Sequence, residues 1–251
     1  MKLLRVLPRK PGSRSARVIS QTLNGKRVRH NGRFRPKIRH LVVNWGSAVR
    51  PLWWASGLND PAIVQQSSNK LLALTTMKAA GINVPEFTTD QAEAQNWINK
   101  GKVVVGRRVL NGHGGIGCVV WDDEANTAEA CPLYTKHLRH RREYRIHVFK
   151  GGIIDMVEKR KRLGFEGRNS WIRNYHNGYV FCRDNLQVPD VVKSESLKAV
   201  LALKLDFGAV DVAYREKENK AYIFEVNTAP GIEGKTIESY INAIKRVLVN
   251  V

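Results

Sequence analysis

Residues 206–234 read D-F-G-A-V-D-V-A-Y-R-E-K-E-N-K-A-Y-I-F-E-V-N-T-A-P-G-I-E-G, two short apolar runs joined by a charged turn. Gly208 to Tyr214 and Ala221 to Val226 have the composition of strands, and Arg215 to Lys220 that of a hairpin turn. Three oxygen-bearing side chains interrupt the apolar sequence. Asp211 lies in the first strand, while Glu225 and Asn227 stand two apart in the second and share a face. Antiparallel pairing can bring Asp211 beside them. A lone carboxylate in apolar surroundings is costly, so these acids are expected to have partners. Two carboxylates and an amide suit a hard cation such as magnesium, which keeps waters and takes further ligands from phosphates. The alternative is an exposed hairpin with scattered acids.

Charge distinguishes the rest of the chain. Its 251 residues carry 42 Lys and Arg against 22 Asp and Glu, a formal net charge of +20. Such an excess calls for an acidic partner, whether nucleic acid, a phosphate-rich substrate, an acidic polypeptide or an anionic surface. Residues 1–59 hold fourteen Lys and Arg and no Asp or Glu. Runs of this kind are often disordered arms, but this one carries regular apolar pieces. A strand over 3–7, a Ser-capped helix over 15–23 and a strand over 38–45 outline a small Rossmann-like β-α-β unit. Trp45, Trp53 and Trp54 are expected in the core or between lobes, given the area each buries. Cys118, Cys131 and Cys182 fit neither a disulfide framework nor a zinc pattern. No apolar run approaches the ~20 residues of a membrane span, and no signal-peptide pattern follows the basic start. A cytoplasmic protein without a membrane partner is the expectation.

Ser67 and Ser68 are read as caps of a helix over 69–80, followed by a helix over 92–100 and a strand over 102–105. Residues 111–117, N-G-H-G-G-I-G, separate that strand from another over 118–121. A glycine-rich hairpin tip presents bare N–H groups that can fold over phosphates. No helix starts at its end, so it is neither a P-loop nor a dinucleotide fingerprint. In 143–149, E-Y-R-I-H-V-F, strict alternation puts Glu143, Arg145 and His147 on one face and Tyr144, Ile146 and Val148 on the other. A strand over 153–157 runs into the basic Lys159-Arg160-Lys161-Arg162, and a strand over 179–182 and a helix over 194–205 precede the hairpin. An amphipathic helix over 236–249 closes the chain.

In this order the segments resemble the ATP-grasp superfamily over about residues 67–240. E-V-N-T-A-P-G is similar to the metal-binding end of D-alanine–D-alanine ligases and RimK-type glutamate ligases. E-Y-R-I-H-V-F, E-K-R-K-R, I-R-N-Y-H-N-G and D-F-G-A-V-D-V resemble segments of short RimK-like proteins of bacteriophages and bacteria. The resemblance implies an α+β, ATP-grasp fold in which two α+β lobes clasp ATP. Residues 1–60 would form a Rossmann-like pre-ATP-grasp region, 61–133 the small lobe with its glycine loop, and 134–251 the large lobe with the metal site.

The resemblance also implies roles. Lys70 and Arg107 match the two nucleotide-contacting cations, Arg107 standing where the family has a lysine. Arg108, displaced by one, should face away. Gly112, His113, Gly114, Gly115 and Gly117 would cover the phosphates. Tyr134, Thr135, Lys136 and Leu138 match the hinge that reads adenine through its backbone, and Glu143 stands where ribose hydroxyls are held. Arg145, Lys159, Arg160, Arg173 and Asn174 resemble groups that face the transferring phosphate. Asp211, Glu225 and Asn227 match the ligands of magnesium, or of manganese in its place. Many of these ligases carry an arginine two residues before the metal aspartate, where this chain has Ala209; its role would pass to Arg173 or to the 159–162 cluster.

The implied activity is ATP-dependent ligation of a carboxylate to an amine through an acyl phosphate, with an acidic protein or nucleic acid as a candidate acceptor and homo-oligomers allowed. The competing reading is a nucleic-acid-binding protein with a degenerate ATP-grasp site, motivated by the acid-free N-terminal stretch.

Overall fold

The computed structural model describes residues 2–112, 115–165, 171 and 173–249. Three sheets organise these residues. The first is parallel, in the order β2-β1-β3, from β1 (Leu3–Pro8), β2 (Lys26–Arg27) and β3 (His40–Trp45), with α1 (Arg14–Thr22) crossing between β1 and β2. Ser13 caps α1 by accepting from the Ala16 amide at 3.3 Å. The basic stretch is therefore a folded β-α-β unit. Trp45, Trp53 and Trp54 are all buried in it or against its neighbours.

Next come α2 (Pro61–Ser68) and α3 (Lys70–Ala79). The serines at 67 and 68 do not cap α3, because they form the last turn of α2, which starts at the Asp60 cap with Pro61 in its first position. Asn69 caps α3 instead, accepting from the Leu72 amide at 3.2 Å. The small sheet has the order β4-β7-β5-β6, from β4 (Phe87–Thr88), β5 (Val104–Arg107), β6 (Cys118–Trp121) and β7 (Leu133–Lys136). Helix α4 (Gln91–Asn99) covers it through Trp97 and Ile98.

The large sheet is antiparallel, in the order β10-β9-β8-β11-β12. Its strands are β8 (Arg142–Phe149), β9 (Gly152–Lys161), β10 (Tyr179–Cys182), β11 (Phe207–Arg215) and β12 (Lys220–Asn227). Helix α5 (Asp190–Ala202) starts four residues before the expected Ser194, and α6 (Lys235–Val249) closes the chain. One face of this sheet carries Tyr144, Ile146, Val210 and Ile223, packed under α2, α3 and α5 through Val64, Leu74, Met77 and Val200. Helices α2 and α3 thus belong to the core of the large sheet, and β7 extends the small sheet to Lys136.

The opposite face carries the polar set and is covered at one end only. There Phe207 stacks on Trp45 with ring centroids 5.3 Å apart, and Tyr240 of α6 meets Trp45 edge-on at 5.1 Å. The other end faces the small sheet across a cleft. Two contacts fix the 228–234 loop that follows the hairpin. A Cβ on Gly46 would overlap the Ala229 methyl, so β3 approaches the loop as only glycine permits. The Ile232 amide donates to Ser15 of α1 at 3.3 Å.

Candidate active site

The site is a set of rows across one face of the large sheet. Register pairs Glu225 with Asp211 and Asp211 with Arg145, so these three lie side by side on β12, β11 and β8. A β-bulge follows Asp211, a common device for re-aiming a side chain at a site. Two residues along, Asn227, Ala209, His147 and Asp155 form a parallel row; on the other side Glu143 pairs with Lys159. Period-two alternation is what brings these residues onto one face.

Every acid here is paired. Arg145 grips Asp211 bidentately at 2.7 and 2.8 Å, with its guanidinium 4.6 Å from the centre of the Phe181 ring. Lys159 bridges Glu143 and, at 3.7 Å, Asp211. Lys70, at the start of α3, pairs with Glu225. The Asn227 amide nitrogen lies 3.3 Å from Asp211 and 3.2 Å from Glu225. Burial raises the Asp211 carboxyl, but Arg145 and Lys159 outweigh it and hold it well below the carboxylate range. Burial likewise raises Glu225, and Lys70 more than compensates. Both are carboxylates at neutral pH.

The cleft over these rows has a volume of about 940 Å³. Thr135, Lys136 and Leu138 line it along the hinge, and Gly112 and Gly115 line it from the glycine loop. His113 and Gly114 lie outside the described residues. Gly117 (φ +74°) turns the chain back into β6. Tyr134 is buried in the small-lobe core, its hydroxyl bonded to Cys131 and Glu129, so only its backbone faces the hinge. Arg107 lines the cleft, whereas Arg108 turns outward to Glu129. The buried Nε of Arg107 has no hydrogen-bond partner among the described residues. A second cavity of about 610 Å³ meets the first at Lys70, Arg145, Glu225 and Asn227 and opens between Arg9, Lys10 and Ser13.

Three of the expected site residues have partners that the sequence did not indicate. Arg160 lies on the opposite face of β9, paired with Glu158 at 2.7 Å, because residue 159 takes the site-facing position. Glu143 lines the cleft with both oxygens engaged, one by Lys159 and the other by His140 at 3.2 Å, so it also holds Lys159 in place. Arg173 lines the cleft while donating to the His140 and Arg141 carbonyls at 2.7 and 3.2 Å. Asn174 lines the cleft. His147, Arg183 and Thr236 also line it and were not singled out from sequence. The alternation of 143–149 already placed His147 on the site face; Arg183 follows β10 in a loop, where no periodicity marks it.

Burial, with Arg145 adding to it, lowers the His147 pKa from 6.5 to about 4. Its folded pKa is depressed, so its contribution to stability is complete above pH 6.5 and is lost as pH falls toward 4. At ~1.4 kcal/mol per pKa unit the full loss is on the order of 3–4 kcal/mol. Thermal denaturation should show a flat midpoint between pH 7 and 8 and a clear fall by pH 5, which His147→Gln reduces. An unchanged acid limb in that variant would remove His147 as its cause.

No family model matches the chain. It is 28% identical over 219 residues to "Probable alpha-L-glutamate ligase 1" of Shewanella sp. (strain W3-18-1), covering 79% of this chain and 69% of that protein. The ATP-grasp ligase PsnB, solved with a phosphomimetic variant of its minimal precursor, magnesium and ADP, superposes with a TM-score of 0.71 at 12% identity. That match covers 98% of this chain and 99% of PsnB. D-alanyl-alanine synthetase A from Vibrio cholerae gives a TM-score of 0.69 at 16% identity, over 99% of both chains. The fold is the ATP-grasp fold. The sequence relatives agree with it: the chain is an ATP-grasp, C–N bond-forming ligase similar to the RimK-type glutamate ligases.

Proposed function

We propose that this ligase activates a carboxylate with ATP as an acyl phosphate and passes the acyl group to an amine, releasing ADP and phosphate. The observation that carries the reading is the row Glu225–Asp211–Arg145, flanked by Lys70 and Lys159, at the floor of a cleft with a glycine loop and a hinge. Asp211, Glu225 and Asn227 fit magnesium by donor chemistry, being two ionised carboxylates and an amide. Among the described residues no group of three or more His, Cys, Asp or Glu could hold a metal, so magnesium here would need further ligands from phosphate and water. Bound magnesium, or manganese in its place, would screen the phosphate charge and polarise the phosphorus.

The chain's own residues supply position and charge. The substrate carboxylate attacks the γ-phosphorus; a C–O–P bond forms and the bond to ADP breaks. Two anions must meet, and Arg145 and Lys159, held in place by Asp211 and Glu143, provide fixed positive charge there. Arg107, with an unpartnered buried Nε, is suited to a phosphate oxygen. The amine then attacks the acyl carbon, the C–N bond forms, phosphate leaves and the amine loses a proton.

The acidic acceptor we favour is a polypeptide. The basic unit opens onto the second cavity through Arg9 and Lys10, and its tryptophans are buried, so they are not the stacking platforms that single-stranded nucleic acid uses. The paired Asp211–Glu225–Asn227 set also speaks against a degenerate site. Incubation with ATP, magnesium and panels of acids and amines should give ADP and phosphate, and hydroxylamine should trap a hydroxamate. AMP and pyrophosphate in place of ADP would overturn the acyl-phosphate route.

A further inference from the structure

The row that contains Ala209 leads to a group the reaction has not used. Crossing the sheet from Asn227 through Ala209 and His147, the row reaches Asp155 on β9. Asp155 holds Arg183 at 2.5 Å, and Thr236 at the start of α6 hydrogen-bonds to both, to Arg183 at 2.6 Å and to Asp155 at 2.5 Å. These bonds use the Nε and one terminal nitrogen of the guanidinium. The other, Nη1, makes no hydrogen bond among the described residues. Arg183, His147 and Thr236 all line the cleft, with Ile232 and Gly234 of the 228–234 loop closing that end. Ala209 itself is fully buried, but the cleft runs on from this arginine past His147 to Asn227, Asp211 and Arg145, which line the same cavity. Glu233 at the rim is exposed and paired with Arg14 at 3.7 Å, so it does not neutralise Arg183.

We infer that Arg183, locked by Asp155 and Thr236, receives the free carboxylate of an α-amino acid whose amine is the nucleophile. The row of Asp211 and Arg145 lies two residues along the strands, about 6.6 Å away. That span fits an amino acid anchored by its carboxylate at one row with its nitrogen directed at an acyl group on the next. Arg183 is anchored through one edge with an N–H still to donate, the arrangement that makes arginine a specific carboxylate receptor. The inference rests on the ligase reading for the role of the bound amino acid, but not for its binding.

The probes are the twenty L-amino acids and their α-carboxamides, whose dissociation constants are measured by NMR titration with ADP and magnesium present. At least one amino acid should bind about tenfold or more tightly than its carboxamide, the discrimination expected when a charged hydrogen bond is lost. Arg183→Met should erase that preference while ADP binding is kept. If that variant does not fold, Thr236→Val decides: it removes one anchor and should weaken the amino acid about threefold and its carboxamide hardly at all. Equal binding of acids and amides, no amino-acid binding, or a preference that survives both changes overturns the proposal. ADP release is measured separately with the same amino acids and the panel of acids together. An Arg183-dependent preference without any ADP would leave the subsite standing and sink the ligase reading.

Discussion

Replacing Glu225 with Gln should lower kcat by on the order of 10²–10³-fold, the usual cost of removing one preorganised electrostatic group from a transition state. Gln keeps the shape and still accepts from Lys70, so the substitution isolates the charge. Two changes in stability oppose each other. Lys70 loses its ion partner, while Asp211 loses the repulsion of a second carboxylate that pushes Glu225 upward. The thermal midpoint should therefore move by only a few degrees, and the loss should appear in single-turnover ADP formation, with a raised magnesium requirement. Arg160→Gln is the matching control on the other face of β9, where Glu158 takes the guanidinium. It should keep turnover within about twofold, as surface changes away from a site usually do. Full activity in the Glu225 variant, or its loss in the Arg160 variant, would reverse the assignment of faces.

Strand alternation explains how much of this site could be read from sequence. In E-Y-R-I-H-V-F the period of two separates Arg145 and His147 from Ile146 without ambiguity, and E-V-N does the same for Glu225 and Asn227. The pairing of Asp211 with Glu225 followed from the hairpin. Where a basic run replaced alternation, as in Lys159-Arg160-Lys161-Arg162, charge gave no indication of face and Arg160 was misplaced. Cap residues misled in the same way, since Ser67 and Ser68 have the chemistry of an N-cap but sit inside α2. The packing partners of α2 and α3 could not be read locally. Which sheet α2 and α3 cover depends on Val64, Leu74 and Met77 packing in one cluster with Tyr144 and Val210, residues 67 to 146 positions further along the chain. Arg183 is the hardest case, because its meaning comes from Asp155 and Thr236, which approach it only in three dimensions.

Asn59→Ala is expected to be the most destabilising single change in the joint between the basic unit and the large sheet. Asn59 is fully buried with φ of 59°, a left-handed conformation that asparagine tolerates better than alanine. Its side-chain oxygen accepts from the Asp206 and Phe207 amides at 2.8 and 3.2 Å, and its amide donates to the Phe207 carbonyl at 2.9 Å. Its own carbonyl accepts from Asn44 at 2.9 Å, tying β3 to the same node. Alanine leaves three buried backbone groups of residues 206–207 without partners and adds backbone strain. Together these cost on the order of 4 kcal/mol, which for a chain of this size lowers the midpoint by about 8–15 °C. Asn59→Gly relieves the strain but not the lost bonds, so its midpoint should fall between wild type and alanine. The consequence reaches the chemistry, because residues 206–207 begin the strand that carries Asp211. Below its melting transition the alanine variant should bind magnesium-ATP more weakly than wild type. A midpoint within 2 °C of wild type would mean that the joint is held by the Trp45–Phe207–Tyr240 packing and not by this asparagine.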